Sequence, residues 1–312
     1  METQFAEEGG LESLLELALS TKDRETLTYC MSCILNLSGE GRADSKLFDF
    51  GIVKAISQLS LETSDPRVMQ YCAKSLCFFT QLEDIEERLI SMGIIPPLTK
   101  LTVNANNPVT VMIACKGLHN ISPILTGSMA DSVNKHIIDC VKRLTVLNVP
   151  FLSSFSGEVV QNLSCLMNAR QKIADEGAIE VLNTLIRNSP NSRTMKACAI
   201  ALCNLSQLKS CTKEMVNMDV IEVITDMLKA DHEETVYLCT LVLSNLTAQT
   251  ELRQKVSKIL RLNPFPVSCQ LTNLLIGFFR SSSRSPLRTG FQSSVLYCRP
   301  SLHEPLQSPL NP

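Results

Sequence analysis

An all-α solenoid is the fold class this sequence predicts, and three observations predict it. First, one short motif returns in phase: Asn36-Leu37-Ser38, Phe78-Phe79-Thr80, Asn120-Ile121-Ser122, Asn162-Leu163-Ser164, Asn204-Leu205-Ser206 and Asn245-Leu246-Thr247. The hydroxyl residues stand at 38, 80, 122, 164, 206 and 247, so the spacing is 42 four times and then 41. A fixed period of that length marks units that bury their apolar faces against one another. Second, apolar residues inside each unit recur at helical spacing. Third, tryptophan is absent and aromatics make up only 5% of the chain, against abundant Leu, Ile and Ala.

Bulk properties narrow the function classes. A formal net charge of −2 over 312 residues argues against a chain built to grip phosphate backbones, so no nucleic-acid partner is expected. The polar, acidic start, residues 1–8, does not resemble a secretory leader. No apolar run reaches the roughly 18 residues of a membrane span. The longest candidate, residues 271–279, contains Thr272, Asn273 and Gly277. The expected location is cytoplasmic, with nuclear, ciliary or cytoskeletal association also open.

The thirteen cysteines raise the question of a metal or disulfide framework. The period answers it differently. Six residues before each Asn (or Phe78) stand Cys30, Cys72, Ala114, Ser156, Cys198 and Cys239. Four cysteines therefore fill one small, core-facing position as hydrophobes. Cys30 and Cys33 form a single CxxC with no second pair and no histidine nearby, so no metal or cofactor is expected. The Asn-x-Ser/Thr sequons at Asn36, Asn120, Asn162, Asn204 and Asn245 are by-products of the repeat inside helices.

Within a unit, numbered from the Asn position, apolar residues stand at −2 (Ile34, Leu76, Leu118, Val160, Leu202, Leu243) and at +1 (Leu37, Phe79, Ile121, Leu163, Leu205, Leu246). With the small residue at −6 they form one face of a helix. The asparagine falls roughly 140° from the centre of that face and is expected to point outward. The Ser or Thr at +2 should end this helix and N-cap a short polar one, and Thr80 with Glu83 reads as a capping box. Thirteen positions after the hydroxyl comes a bend residue: Gly51, Gly93 and Gly177, with Gly9 in register before the first full unit and Lys135 and Asp219 elsewhere. A second helix follows, near 52–61, 94–101, 178–186 and 220–228. Links such as Thr63-Ser64-Asp65-Pro66 and Asn106-Asn107-Pro108 then enter the long third helix. The third unit departs most, because Pro123 follows Ser122 and no bend glycine is present. Its first helix is expected to be distorted.

Three helices per unit, a Gly between the first and second, and A-x-x-x-L-x-N-L-S closing the third resemble the armadillo repeat family. The stretches Cys198-Ala199-Ile200-Ala201-Leu202-Cys203-Asn204-Leu205-Ser206 and Glu176-Gly177-Ala178-Ile179-Glu180-Val181-Leu182 carry the resemblance best. It covers about residues 9 to 261. The expected organisation is an armadillo-type right-handed superhelix over 1–261, about six units incomplete at both ends, and a Pro/Ser-rich, disordered tail over 262–312.

The resemblance implies that stacked third helices line a concave groove holding an extended or helical segment of a partner protein. Its candidate residues are Asn36, Phe78, Asn120, Asn162, Asn204 and Asn245, with Tyr29, Tyr71, Lys74, Lys116 and Phe155. Each amide offers donors and an acceptor to an extended backbone. The alternative is that the amides bond neighbouring helix backbones and hold the stack in register. Importin-α-like adaptors pair each Asn with a Trp four residues earlier; here those positions are Ser32, Lys74, Lys116, Glu158, Ile200 and Leu241, so that route to basic import signals is not expected. β-Catenin-like arrays use a strongly basic groove, whereas Arg67, Lys74, Lys116, Arg193 and Lys196 are here offset by Glu25, Glu158 and Glu234.

Catalysis finds no support: the four histidines are scattered and no phosphate-cradling Gly loop is present. The expected function is a non-enzymatic scaffold in a cytoskeletal, ciliary, adhesion or signalling assembly. A cargo or transport adaptor and a regulatory subunit of an enzyme complex are the alternatives. Half of the fourteen prolines fall in the last fifty residues beside a single acid, Glu304. Residues 271–279 are a candidate makeshift cap, and the Arg/Ser run ending at Pro286 a candidate phosphorylation or acidic-surface site. The chain reads as a truncated or alternative product of a longer array.

Overall fold

The computed structural model describes residues 8–38, 51–82, 84–188, 191–229 and 232–262. Glu83 of the expected capping box, the tail from 263 onward and the segment 271–279 lie outside them. The chain divides into two compact units, Met1–Leu147 and Asn148–Pro312. Among the described residues the regular structure is helical throughout, and no helix is long and apolar enough to cross a membrane.

The first unit runs α1 (Gly10–Ser20), α2 (Arg24–Ser38), α3 (Ile52–Glu62), α4 (Pro66–Phe79), α5 (Glu86–Ser91), α6 (Ile95–Asn104), α7 (Pro108–Ile121) and α8 (Gly127–Val146). The second runs α9 (Pro150–Cys165), α10 (Arg170–Asp175), α11 (Ala178–Asn188), α12 (Ser192–Leu205), α13 (Lys209–Asn217), α14 (Val220–Met227), α15 (Glu233–Ala248) and α16 (Thr250–Leu262). The third helices of successive repeats pack on one another: α2 on α4 and α4 on α7 in the first unit, α9 on α12 and α12 on α15 in the second.

Local chemistry explains the boundaries. Asp65 and Asn107 N-cap α4 and α7 by accepting from Val68 N and Val109 N, and a proline follows each at the first helical position. Asn191 caps α12 through Thr194 N. At the bend slot Gly51, Gly93 and Gly177 hold φ of 74°, 77° and 91°, the left-handed region that a side chain makes costly. Asp219 takes the same slot at φ 56°.

Two expectations are corrected. In the third repeat Pro123 produces a 3-10 turn over Ser122–Ile124, and the first and second helices then fuse into the 20-residue α8. Lys135 continues a helix where glycine would break one, and Val133, Ile137, Ile138, Val141 and Leu144 keep a single buried face across the slot. The motif hydroxyls of Thr80, Ser122, Ser164 and Ser206 also do not N-cap the next helix. Thr80, Ser122, Ser164 and Ser206 each donate back to the carbonyl three residues earlier (Cys77, His119, Gln161, Cys203) at 2.6–2.8 Å, closing the C-terminal end of their own helix.

The small −6 position is buried at Cys30, Cys72, Ala114, Cys198 and Cys239, along with Ser156. Burial pushes the Cys72 and Cys239 thiols up to about 12, far from the thiolate that metal binding or redox exchange needs. Cys33 is exposed one turn from buried Cys30.

Candidate partner-binding site

The site residues sit on the third helices, whose apolar faces pack into each unit. On α2, Tyr29 is 70% exposed and Asn36 is exposed as well. On α4, Tyr71, Lys74 and Phe78 are half-buried, and the Phe78 ring meets Phe79 edge-on with centroids 6.3 Å apart. On α7, Lys116 and Asn120 are half-buried. In the second unit Phe155, Asn162 and Asn245 are half-buried.

Asn204 corrects the outward orientation expected of the asparagines, being only 5% exposed. Ile113, Ala197, Ile200 and Leu238, four or seven residues before the Asn on the same helices, are also buried. The cause is a ladder between repeats. Asn120 Nδ2 donates to Thr80 Oγ1 at 3.0 Å, Asn204 Nδ2 to Ser164 Oγ at 3.0 Å, and Asn245 Nδ2 to Ser206 Oγ at 2.9 Å. Each amide thus reaches the motif hydroxyl of the preceding repeat, and that hydroxyl passes its own proton to a helix-end carbonyl. The bond goes to a side chain where a backbone acceptor was the expected alternative. Phe78 cannot donate, so the ladder skips α4.

The two units differ in electrostatics. On the second unit's third helices, Arg193 bonds Glu158 across α12 and α9, and Lys196 meets Glu234 at 2.7 Å across α12 and α15. On the first unit, Arg24 pairs with Asp65, but Lys74 and Lys116 make no ion pair with any described residue.

Several functional-looking cations were not read from the sequence. Lys100 Nζ donates to the carbonyls of Ser60, Leu61 and Thr63 at 3.0, 2.6 and 3.0 Å, closing the C-terminal end of α3 from α6. Arg143 does the same for α6, through Thr102 and Val103. Arg170, 4% exposed, donates to Ser164 O at 2.6 Å and Gln207 Oε1 at 2.9 Å. Cations at helix C-termini satisfy orphan carbonyls and oppose the negative dipole end. The basic pair Lys142-Arg143, 42 and 43 residues after Lys100, was the one trace of this in the sequence. A row of exposed aliphatics, Leu19, Leu61, Val103 and Val146, spaced by 42, 42 and 43 residues, also escaped the sequence reading. Among the described residues, no cluster of His, Cys, Asp and Glu gathers that could hold a metal ion.

No protein-family model and no curated protein matches the sequence. Solved structures do. A designed armadillo repeat protein, YIII(Dq)4CqI, superposes with a TM-score of 0.59 at 15% identity, covering 76% of this chain and 99% of its own. The fold is that of an armadillo-repeat solenoid. A second designed armadillo repeat protein, solved in complex with the peptide (KR)4, gives a TM-score of 0.59 at 15% identity over 76% of this chain and 99% of that one. An engineered protein, structural-genomics target OR497, gives 0.61 at 23% identity over 82% of this chain and 63% of that one. In this armadillo fold, the units that bury the Cys/Ala/Ser position and bend at glycine are the ones the period marks.

Proposed function

We propose that this chain is a non-enzymatic, cytoplasmic scaffold that holds an extended or helical segment of a partner protein along its stacked third helices. The observation that carries the reading is the outer face of α2 and α4, where Tyr29, Tyr71 and Phe78 lie open or half-open beside polar Asn36 and Lys74. Rings of this kind supply large contact area at low entropic cost and dominate peptide recognition. Helices packed about 10 Å apart match about three residues of an extended segment at about 3.3 Å each, so each successive repeat meets about every third residue. The half-buried amides of Asn120 and Asn245 each spend one N–H on the ladder. The second N–H and the carbonyl, held in a fixed orientation, are left for a partner backbone. Buried free thiols are compatible with a reducing compartment.

The test is site-specific photocrosslinking of the full chain in cells. A benzoyl-phenylalanine replacing Tyr29 or Tyr71 should yield a discrete protein adduct, and the same probe at exposed Lys54 of α3 should not. Equal labelling at all three positions, or none at Tyr29 and Tyr71, rejects the face as the binding site. An enzyme recovered as the adduct would mark the scaffold as a regulatory subunit.

A further inference from the structure

Resting on that reading, we infer that the first unit's third-helix face takes an acidic extended segment carrying an apolar side chain. Three observations on different residues converge.

The first is charge. Over α2, α4 and α7 the only carboxylate is Glu25, against Arg24, Arg67, Lys74 and Lys116. Arg24 is committed to Asp65. Lys74 and Lys116 occupy the same register on adjacent, mutually packed helices, four residues before Phe78 and Asn120. Both are half-buried, and neither has an ionic partner among the described residues. Two ammonium groups in one row, partly stripped of water and unpaired, favour an anion that aligns with them.

The second is an internal contrast. The second unit also carries cations on its third-helix stack, Arg193 and Lys196, but matches each with a carboxylate from the neighbouring repeat, Glu158 and Glu234. Among the described residues, the same fold therefore neutralises this face in one unit and leaves it basic in the other. The third is the anchor. Phe78 stands where the other repeats have Asn, so at that step an apolar ring replaces an amide. Tyr71 lies two helical turns before Phe78 on the same helix and Tyr29 on the third helix before it.

Lys74 and Lys116 lie one helix spacing apart, about 10 Å, so the carboxylates that meet them should be three residues apart in a polyproline-II-like extended chain, where residues i and i+3 share a face about 9 Å apart. An aliphatic or aromatic side chain between them faces Phe78. A Lys/Arg segment such as the (KR)4 of the designed neighbour would meet like charge here.

The experiment is fluorescence anisotropy of the full chain with three labelled peptides of about twelve residues: repeated Glu-Ser-Leu, and the same peptide with Gln or with Lys in place of Glu. The Glu peptide should bind at least about tenfold more tightly than either, and should weaken severalfold as salt is raised through the range where the Debye length falls below about 8 Å. Lys74→Glu with Lys116→Glu should abolish that preference and favour the Lys peptide, whereas Lys54→Glu on α3 should leave it unchanged; circular dichroism checks that the variants fold. Phe78→Ala should weaken the Glu peptide severalfold without altering its salt dependence. Equal binding of the Glu and Gln peptides overturns the charge assignment and leaves the scaffold reading intact if the Tyr29 and Tyr71 crosslinks form. Tighter binding of the Lys peptide, no binding of the Glu peptide, or its displacement by a single-stranded oligonucleotide at lower concentration each overturns the inference.

Discussion

Asn204 Nδ2 donates to Ser164 Oγ at 3.0 Å across forty residues of sequence, and both groups are buried. Ser164 Oγ in turn donates to Gln161 O at 2.6 Å. The motif that repeats along the chain is therefore split between neighbours: the Asn of one repeat and the hydroxyl of the one before make a single bond.

Breaking that bond at a buried rung leaves a hydroxyl short of its donor. Asn204→Ala should lower unfolding free energy by about 1–3 kcal/mol, whereas Asn36→Ala, at an exposed amide, should change it by less than about 0.5 kcal/mol. Urea denaturation of the two variants compares them directly. Equal losses would mean that the ladder adds nothing to stability.

Lys100 closes three carbonyls at the end of α3. Lys100→Met keeps the alkyl stem and removes the donor, and should cost about 1–2 kcal/mol. Hydrogen exchange should quicken at the C-terminal turn of α3 more than at that of α4. No local change would show that water replaces the ammonium without loss.

At the bend slot, Asp219 holds φ 56° where other repeats have glycine. Asp219→Gly should raise the thermal midpoint slightly, by about 0.5–1 kcal/mol of stability, and Gly93→Ala should lower it by about 1–2 kcal/mol. A Cβ at Gly93 meets no atom within 4 Å, so any loss there measures backbone conformation and not a clash.

His119 near the end of α7 is pushed down from 6.5 to about 4, first by burial and then by nearby Lys116. The unfolded chain takes up a proton near pH 6.5, which the folded chain refuses until about 4. Its contribution is therefore complete above pH 6.5 and is lost as pH falls through that window. The expected loss is roughly 3 kcal/mol by pH 4. His119→Gln should flatten the stability profile between pH 6.5 and 4 relative to the unaltered chain. Parallel profiles would show that His119 does not carry the effect.

How much was legible follows from where each cause lies. The bends at Gly51, Gly93 and Gly177 and the links through Asp65-Pro66 and Asn107-Pro108 were readable because a backbone angle or a helix start is decided within four residues. The fused α8 was half-legible: the missing glycine announced a departure, but the continuous buried face from Val133 to Leu144 decided its form. The inward turn of Asn204 and the capping by Lys100, Arg143 and Arg170 were not legible. Each depends on the group that stands opposite, and four of the bonds concerned span about forty residues.

By itself, the sequence determined the helical period, the −6 and −2 core positions and the armadillo-type fold, since these follow from apolar spacing and local backbone preference. Only the tertiary structure decided which polar residues are spent inside the stack and which remain for a partner. Asn204 found Ser164 and Arg193 found Glu158, whereas Lys74 and Lys116 found no carboxylate among the described residues. The physical reason is that pairing is set by distance across packed helices, and a linear pattern holds register along the chain but not what lies a few ångströms beside it.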